Sequence, residues 1–171
     1  MMKPSALSSS TWACAAATPT EPHRGGGNGR DPAVLMSSAE VDRMRRYVES
    51  GFPEECCGVL IGVREASLVR ISDVVCAANI AEGDRRRRYQ VAWEALFTAY
   101  RQAEAAGRTV IGVFHSHPDG TDSPSDIDTR EALDDFLYII VPVREGVAGL
   151  PRAWRFADGG FVPGDLVIEG V

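Results

Sequence analysis

Val110-Ile111-Gly112-Val113-Phe114-His115-Ser116-His117-Pro118 runs into a polar loop that ends at Ser125-Asp126-Ile127-Asp128. The apolar, β-branched half of this stretch reads as a buried strand, and the strand finishes in two histidines spaced i, i+2. Side chains two apart on a strand share a face, and a rise of ~3.3 Å per residue sets their Cα atoms about 6.6 Å apart. Two imidazoles held in this way can reach one metal ion. Asp128, at the far end of the loop, is a hard anionic ligand that completes a His115, His117, Asp128 set. Three protein ligands leave one tetrahedral position for water, the arrangement of catalytic rather than structural zinc. Ser125, three residues before Asp128, stands where a polar residue caps an opening helix. A lone histidine at a strand end is ordinarily a surface or hydrogen-bonded residue. This chain has three, His23 being the other, and two of them are paired at ligand spacing beside a loop full of carboxylates.

A zinc ion held by these three side chains would lower the pKa of its bound water toward ~7. Amide hydrolysis also needs a carboxylate within reach, to take the water's proton and return it to the leaving amine. Glu54, Glu55, Asp119, Asp122 and Asp126 all lie near motif residues and are open candidates. Ser116, between the two ligands, is expected to face away from the metal. Cys57 is expected to pack as a small hydrophobe, close enough to Glu55 to line the pocket. Nucleobase deamination, a rival zinc chemistry, wants His-x-Glu and Pro-Cys-x-x-Cys, and the chain has neither. A cysteine protease built on Cys56 or Cys57 leaves the paired histidines and the aspartate unexplained.

His115-Ser116-His117-Pro118, six residues, then Ser125-x-x-Asp128 resembles the JAMM motif of the MPN+ zinc metalloproteases. That motif reads Glu, then at a distance His-Ser/Thr-His-Pro, six residues and Ser-x-x-Asp. Short bacterial members carry Glu-x-Cys-Gly on their first strand, and Glu55-Cys56-Cys57-Gly58 fits it. With Arg88-Tyr89 before the middle helix and Arg152-Ala153-Trp154-Arg155 near the C-terminus, the resemblance covers roughly residues 37 to 169. It implies Zn2+ on His115, His117 and Asp128, with Glu55 as the general base and Glu54 as the register alternative on the opposite strand face. It also implies Ser125 as the hydroxyl aimed at the oxyanion, a role that competes with helix capping. The implied substrate is a peptide or isopeptide bond after the C-terminal Gly-Gly of a ubiquitin-like, sulfur-carrier protein. The alternative within the resemblance is a non-catalytic MPN interaction scaffold.

The 171 residues, 44% hydrophobic and 25% charged, suit one soluble domain with an adequate core plus a tail. A net charge of −6 argues against a general nucleic-acid binder. The four cysteines lack C-x-x-C spacing and form no disulfide framework in a chain of this size, which points to a reducing, cytoplasmic setting. No apolar run approaches the ~18 residues that span a bilayer. The first residues are small and polar, without the apolar core of a secretory signal. Pro19, Pro22, Gly25-Gly26-Gly27 and Pro32 give residues 1–33 the composition of a tail or linker, with the metalloprotease domain over 34–171. Met36 is an alternative start.

Around the central strand, Ser37 and Glu40 offer a capping box for an amphipathic helix over 38–50, stopped by Gly51 and Pro53. Strands at 57–63 and 68–76 form a hairpin about a turn at 64–67. Arg85-Arg86-Arg87-Arg88 reads as solvated loop, its functional reading being a docking edge for an acidic partner. A short strand at 89–91 precedes a core helix carrying Trp93, Leu96, Phe97, Tyr100 and Ala103, with Gly107 as its cap. The central strand takes 109–115, and a short helix begins at Asp128 and runs to 132 or 133. A fully buried strand follows at 137–143. Closing strands at 153–156, 160–162 and 166–168, with Asp158-Gly159 as a turn, complete the layout. The expected fold is α/β, a mixed central sheet flanked by helices on both sides. The family resemblance implies the same, as a cytidine-deaminase-like three-layer architecture.

Overall fold

The computed structural model describes residues 32–170. The expected tail therefore falls, over residues 1–31, outside the described residues. In chain order the elements are β1 (Ala33–Ser37), α1 (Ser38–Gly51), β2 (Cys57–Glu65), β3 (Leu68–Ala77), α2 (Trp93–Ala105) and β4 (Thr109–His117). There follow α3 (Asp126–Glu131), β5 (Leu137–Arg144), β6 (Val147–Ala148), β7 (Arg152–Ala157), β8 (Gly160–Gly164) and β9 (Leu166–Glu169). The sheet runs β8-β7-β5-β4-β2-β3-β1-β9, with β6 paired to β5. It is mixed: β4 is parallel to β5 and antiparallel to β2, and β1 lies parallel to both β3 and β9. The expected mixed α/β fold is the fold observed.

Alternation along β2 sorts the core into two layers. Leu60 joins Val41, Met44 and Val48 of α1 in the larger buried cluster, together with Phe114, Ile139 and Val141. Its neighbours Val59 and Ile61 point the other way and pack with Ala99 and Ala103 of α2. Helices thus cover both faces of the sheet. α1 starts where its cap predicts, with the Ser37 hydroxyl accepting from the Glu40 N–H at 3.3 Å. The Glu40 carboxylate does not close the box; it accepts from the Val74 N–H at 3.1 Å and ties the helix to β3.

Several elements differ from the sequence reading. β1 was not expected, although Val34 and Met36 are buried and the strand bridges β3 to β9. β6 was not expected either, being only two residues long. The hairpin turn is tighter than 64–67, because Glu65 still pairs with Leu68. The expected strand at 89–91 reduces to one bridge, Asn79 to Val91. On α2 the apolar positions divide: Leu96, Ala99 and Ala103 face the sheet, while Trp93, Phe97 and Tyr100 are 62%, 55% and 41% exposed. The apolar arc of α2 is simply wider than the face the sheet covers, so only part of that row is core. The expected turn at Asp158-Gly159 is present, with φ of 52° and 77°, the left-handed pair of a type I′ hairpin.

β1 makes the two candidate starts physically unequal. A chain begun at Met36 loses buried Val34 and its ladder bonds to both neighbours. Urea unfolding should show such a chain less stable than one begun at Pro32 by about 2 kcal/mol or more; equal midpoints would show that β1 contributes nothing.

Candidate metal centre

β4 carries both histidines to its C-terminal end, two residues beyond the expected limit, and pairing fixes which way they point. Cys57 faces His115 across the antiparallel β2–β4 ladder, and Val59 faces Val113. His115 and His117 therefore lie on the α2 side of the sheet. Ser116 lies on the other side, where its hydroxyl accepts from the Cys56 N–H at 2.9 Å and its own N–H donates to the Cys56 carbonyl at 2.9 Å. These bonds carry the ladder one step past β2 and set Glu55 opposite His117. Glu55 is only 6% exposed, whereas Glu54 is exposed to solvent. Its main chain is held on both sides, the N–H donating to the Arg85 carbonyl and the carbonyl accepting from Asn79 Nδ2, each at 2.8 Å.

α3 brings in the third candidate ligand. It starts at Asp126, two residues earlier than expected, because Ser125 and Asp128 form a complete capping box. Asp128 Oδ2 accepts from the Ser125 N–H at 2.7 Å and from the Ser125 hydroxyl at 2.6 Å, while that hydroxyl accepts from the Asp128 N–H at 3.2 Å. Oδ1 is turned toward His115, and Oδ2 also lies near His117. The ligand atoms of His115, His117 and Asp128 lie within 4.8 Å of one another, and all three residues are buried. Nε2 of His115 is 3.0 Å from Nε2 of His117 and 3.3 Å from Asp128 Oδ1; Nε2 of His117 is 3.4 Å from Asp128 Oδ2. With zinc bonds near 2.0–2.1 Å, a tetrahedral shell has edges of about 3.3 Å. The donor set fits a zinc ion in spacing and in chemistry.

The electrostatics follow from burial and from this grouping. Burial pushes the Glu55 carboxyl up to about 8; His117 opposes the rise, and Asp128 and Asp119 add to it. Burial also pushes Asp128 upward, but the charge of His115 and hydrogen bonds from His115, His117 and Ser125 outweigh it and hold Asp128 well below the carboxylate range.

The surroundings hold residues to which the sequence reading gave no role. Tyr89 stacks on His115, ring centroids 4.3 Å apart and planes 19° from parallel. Trp154 Nε1 donates to the Asp122 carbonyl at 2.9 Å and Arg152 pairs with the Asp122 carboxylate at 3.2 Å, so β7 clamps the metal loop. Asp122 is thereby engaged away from the ligands, and Asp126 is exposed. Cys57 is fully buried, its thiol against the carbonyls of Ala77 and Ala78. The four arginines are exposed; Arg88 pairs with Glu131 of α3 at 3.1 Å.

The family described as prokaryotic homologs of the JAB domain matches residues 37–157. The chain belongs to this prokaryotic JAB family. Two curated relatives are similar to it in part. One, named Desampylase, from Haloferax volcanii, is 33% identical over 89 residues, 52% of this chain and 62% of its own. The other, tail tip assembly protein K of Escherichia phage N15, is 29% identical over 96 residues, 56% of this chain and 35% of its own. The chain thus matches less than two thirds of the length of either. A solution structure from Desulfitobacterium hafniense shares the fold at a TM-score of 0.70 and 20% identity, covering 80% of this chain and 92% of its own. One from Salinibacter ruber, 34% identical, overlays at a TM-score of 0.58 and covers 78% and 90%. In this JAB chain no helix among the described residues is long and apolar enough to cross a membrane.

Glu55 gives the JAB domain a pH signature. Between 4.5 and about 8 the folded, metal-free protein keeps a proton on Glu55 that the unfolded chain has released, so stability falls as pH rises through that window. Denaturant melts of metal-free protein should show a smaller fall in Glu55→Gln than in wild type; identical slopes would mean that Glu55 titrates normally.

Proposed function

We propose that the protein is a zinc metallopeptidase that hydrolyses the peptide or isopeptide bond after a C-terminal Gly-Gly of a ubiquitin-like protein, sulfur carriers included. The observation that carries this reading is one buried carboxylate, Glu55, set across the ladder from a convergent His115, His117, Asp128 group. Membership of the JAB family and the partial similarity to Desampylase support it. His115, His117 and Asp128 would hold the ion, which when bound supplies Lewis acidity and makes a water acidic enough to attack at neutral pH.

The chain's own residues do the rest. Glu55 takes the proton of the attacking water and returns it to the leaving nitrogen. A carboxylate within hydrogen-bond reach of the water suits a group that must both take a proton and give it back. Its main-chain bonds to Arg85 and Asn79 keep it aimed. Ser125 is the hydroxyl proposed to meet the developing oxyanion. Its proton is donated to Asp128 Oδ2, so that role requires the hydroxyl to turn away from the carboxylate it holds. The partner enters by a flexible tail, since two glycines present no side chains to a site walled by Tyr89 and the clamped metal loop.

The test is a fusion of a β-grasp protein ending in Gly-Gly to a short C-terminal extension, followed by mass spectrometry. Cleavage should fall directly after the second glycine, stop with chelator and return with zinc. Glu55→Gln should lose about 10²–10⁴-fold in kcat while still binding zinc. Retained turnover in both Glu55→Gln and His117→Ala would sink the mechanism, and stoichiometric zinc without turnover would favour a scaffold.

A further inference from the structure

The two imidazoles are held by different means. Nδ1 of His115 is buried without a hydrogen-bond partner among the described residues, and its ring is positioned by stacking on Tyr89. Nδ1 of His117 instead lies 2.9 Å from Thr121 Oγ1. That oxygen is 2.7 Å from Asp119 Oδ1, which also accepts the Thr121 N–H at 2.9 Å. A threonine hydroxyl has one proton, and an ionised carboxylate can only accept. The proton must therefore point at Asp119, since the alternative sets two lone pairs against each other at 2.7 Å. The hydroxyl is then left with only acceptor capacity toward the ring, and the proton between Thr121 and His117 belongs to Nδ1. The lone pair of His117 falls on Nε2, the atom that converges with His115 and Asp128.

We propose that Asp119 and Thr121 are positioning residues that lock His117 in its Nδ1–H tautomer and so present Nε2 ready for the metal. This rests on the metal-centre reading above. It is local to this chain's loop: Asp119-Gly120-Thr121 forms a turn within the six residues that separate the His-Pro and Ser-x-x-Asp elements. Gly120 stands at φ 79° in that turn, a conformation that brings Thr121 back under the ring.

The experiment uses the full chain in three variants: Thr121→Val, which keeps the shape and removes the hydroxyl; Thr121→Ser, which keeps the hydroxyl; and Asp119→Ala, which frees its proton to turn toward the ring. Competition with a chromophoric chelator should show zinc binding weakened about 10–100-fold in Thr121→Val, weakened also in Asp119→Ala, and close to wild type in Thr121→Ser. The double variant Asp119→Ala/Thr121→Val should be no worse than Thr121→Val alone. Long-range ¹H–¹⁵N spectra of metal-free protein should place the His117 proton on Nδ1 in wild type and Thr121→Ser, and on both nitrogens in Thr121→Val. Wild-type zinc affinity in Thr121→Val, equal losses in the valine and serine variants, or a wild-type proton on Nε2 would each overturn the proposal. If the wild type binds no zinc, the metallopeptidase reading fails, and the ring spectra still decide the tautomer.

Discussion

The register of β2 against β4 is the constraint on which the rest depends. On the α2 side of the sheet it lines up Ile61 with Val110, Val59 with Val113 and Cys57 with His115, and the next step brings Glu55 to His117. Along this one row the packing changes from aliphatic pairs under α2 to a thiol beside an imidazole, then to a carboxyl beside an imidazole. A slip of one residue would turn Glu54 inward and Glu55 out. The slip is opposed by the whole ladder, since it would also drive Val59 and Ile61 into the layer that Leu60 fills. The geometry of the candidate site is thus enforced by hydrophobic burial several residues away.

Ser125 joins the same logic from the other side. An N-cap is worth about 1 kcal/mol, and a buried carboxylate without partners costs far more. The capping box serves both needs with the same atoms: it fixes the start of a six-residue helix and supplies Asp128 Oδ2 with two donors. Oδ1 carries no bond to the cap and faces His115, while Oδ2 is shared between the cap and the His117 side. Because the helix is so short, its position depends on this cap and on the β7 clamp through Asp122 rather than on a long buried face. The strength of the ligand set and the order of the loop are therefore one property.

Much of this was legible in the chain. Strand spacing pairs His115 with His117, Ser125 reads as a helix cap although α3 starts two residues before the expected Asp128, and the apolar run at 137–143 reads as a buried strand because both of its faces are covered. The convergence of His115, His117 and Asp128 is readable in sequence because each member is local to one element or one loop. What was not legible depends on pairings between distant segments. β1 is five residues whose strand character comes from lying between β3 and β9, neither adjacent to it in sequence. Trp93, Phe97 and Tyr100 have helical spacing with Leu96 and Ala103, and spacing does not say how far a sheet reaches around a helix. Tyr89 came with the family resemblance but without a role, since stacking on His115 requires the loop 78–92 to return over β4. Asp119 reads in sequence as a candidate proton acceptor, whereas Asp-Gly-Thr is turn chemistry that closes on itself.

A single irregularity decides which layer receives the site. β4 reaches its register with β2 through a bulge: Leu60 pairs with Gly112 and Ile61 with Val110, so Ile111 is the extra residue. Val110 packs under α2 while Ile111 and Phe114, three apart, both join the α1 core. A regular strand cannot put residues three apart on one face; the bulge exchanges the parity midway. Before it the even-numbered position faces α2, and after it the odd-numbered ones do. Without that exchange a strand that began with Val110 under α2 would deliver His115 and His117 into the α1 core beside Met44 and Val48. They would be far from α3 and buried with no carboxylate to meet them. Gly112 follows at once, and its lack of a side chain allows the close approach of the Leu137 carbonyl that the kinked strand needs to stay paired with β5. The candidate metal centre is thus placed by one inserted residue and one missing side chain, four and three positions before its first candidate ligand.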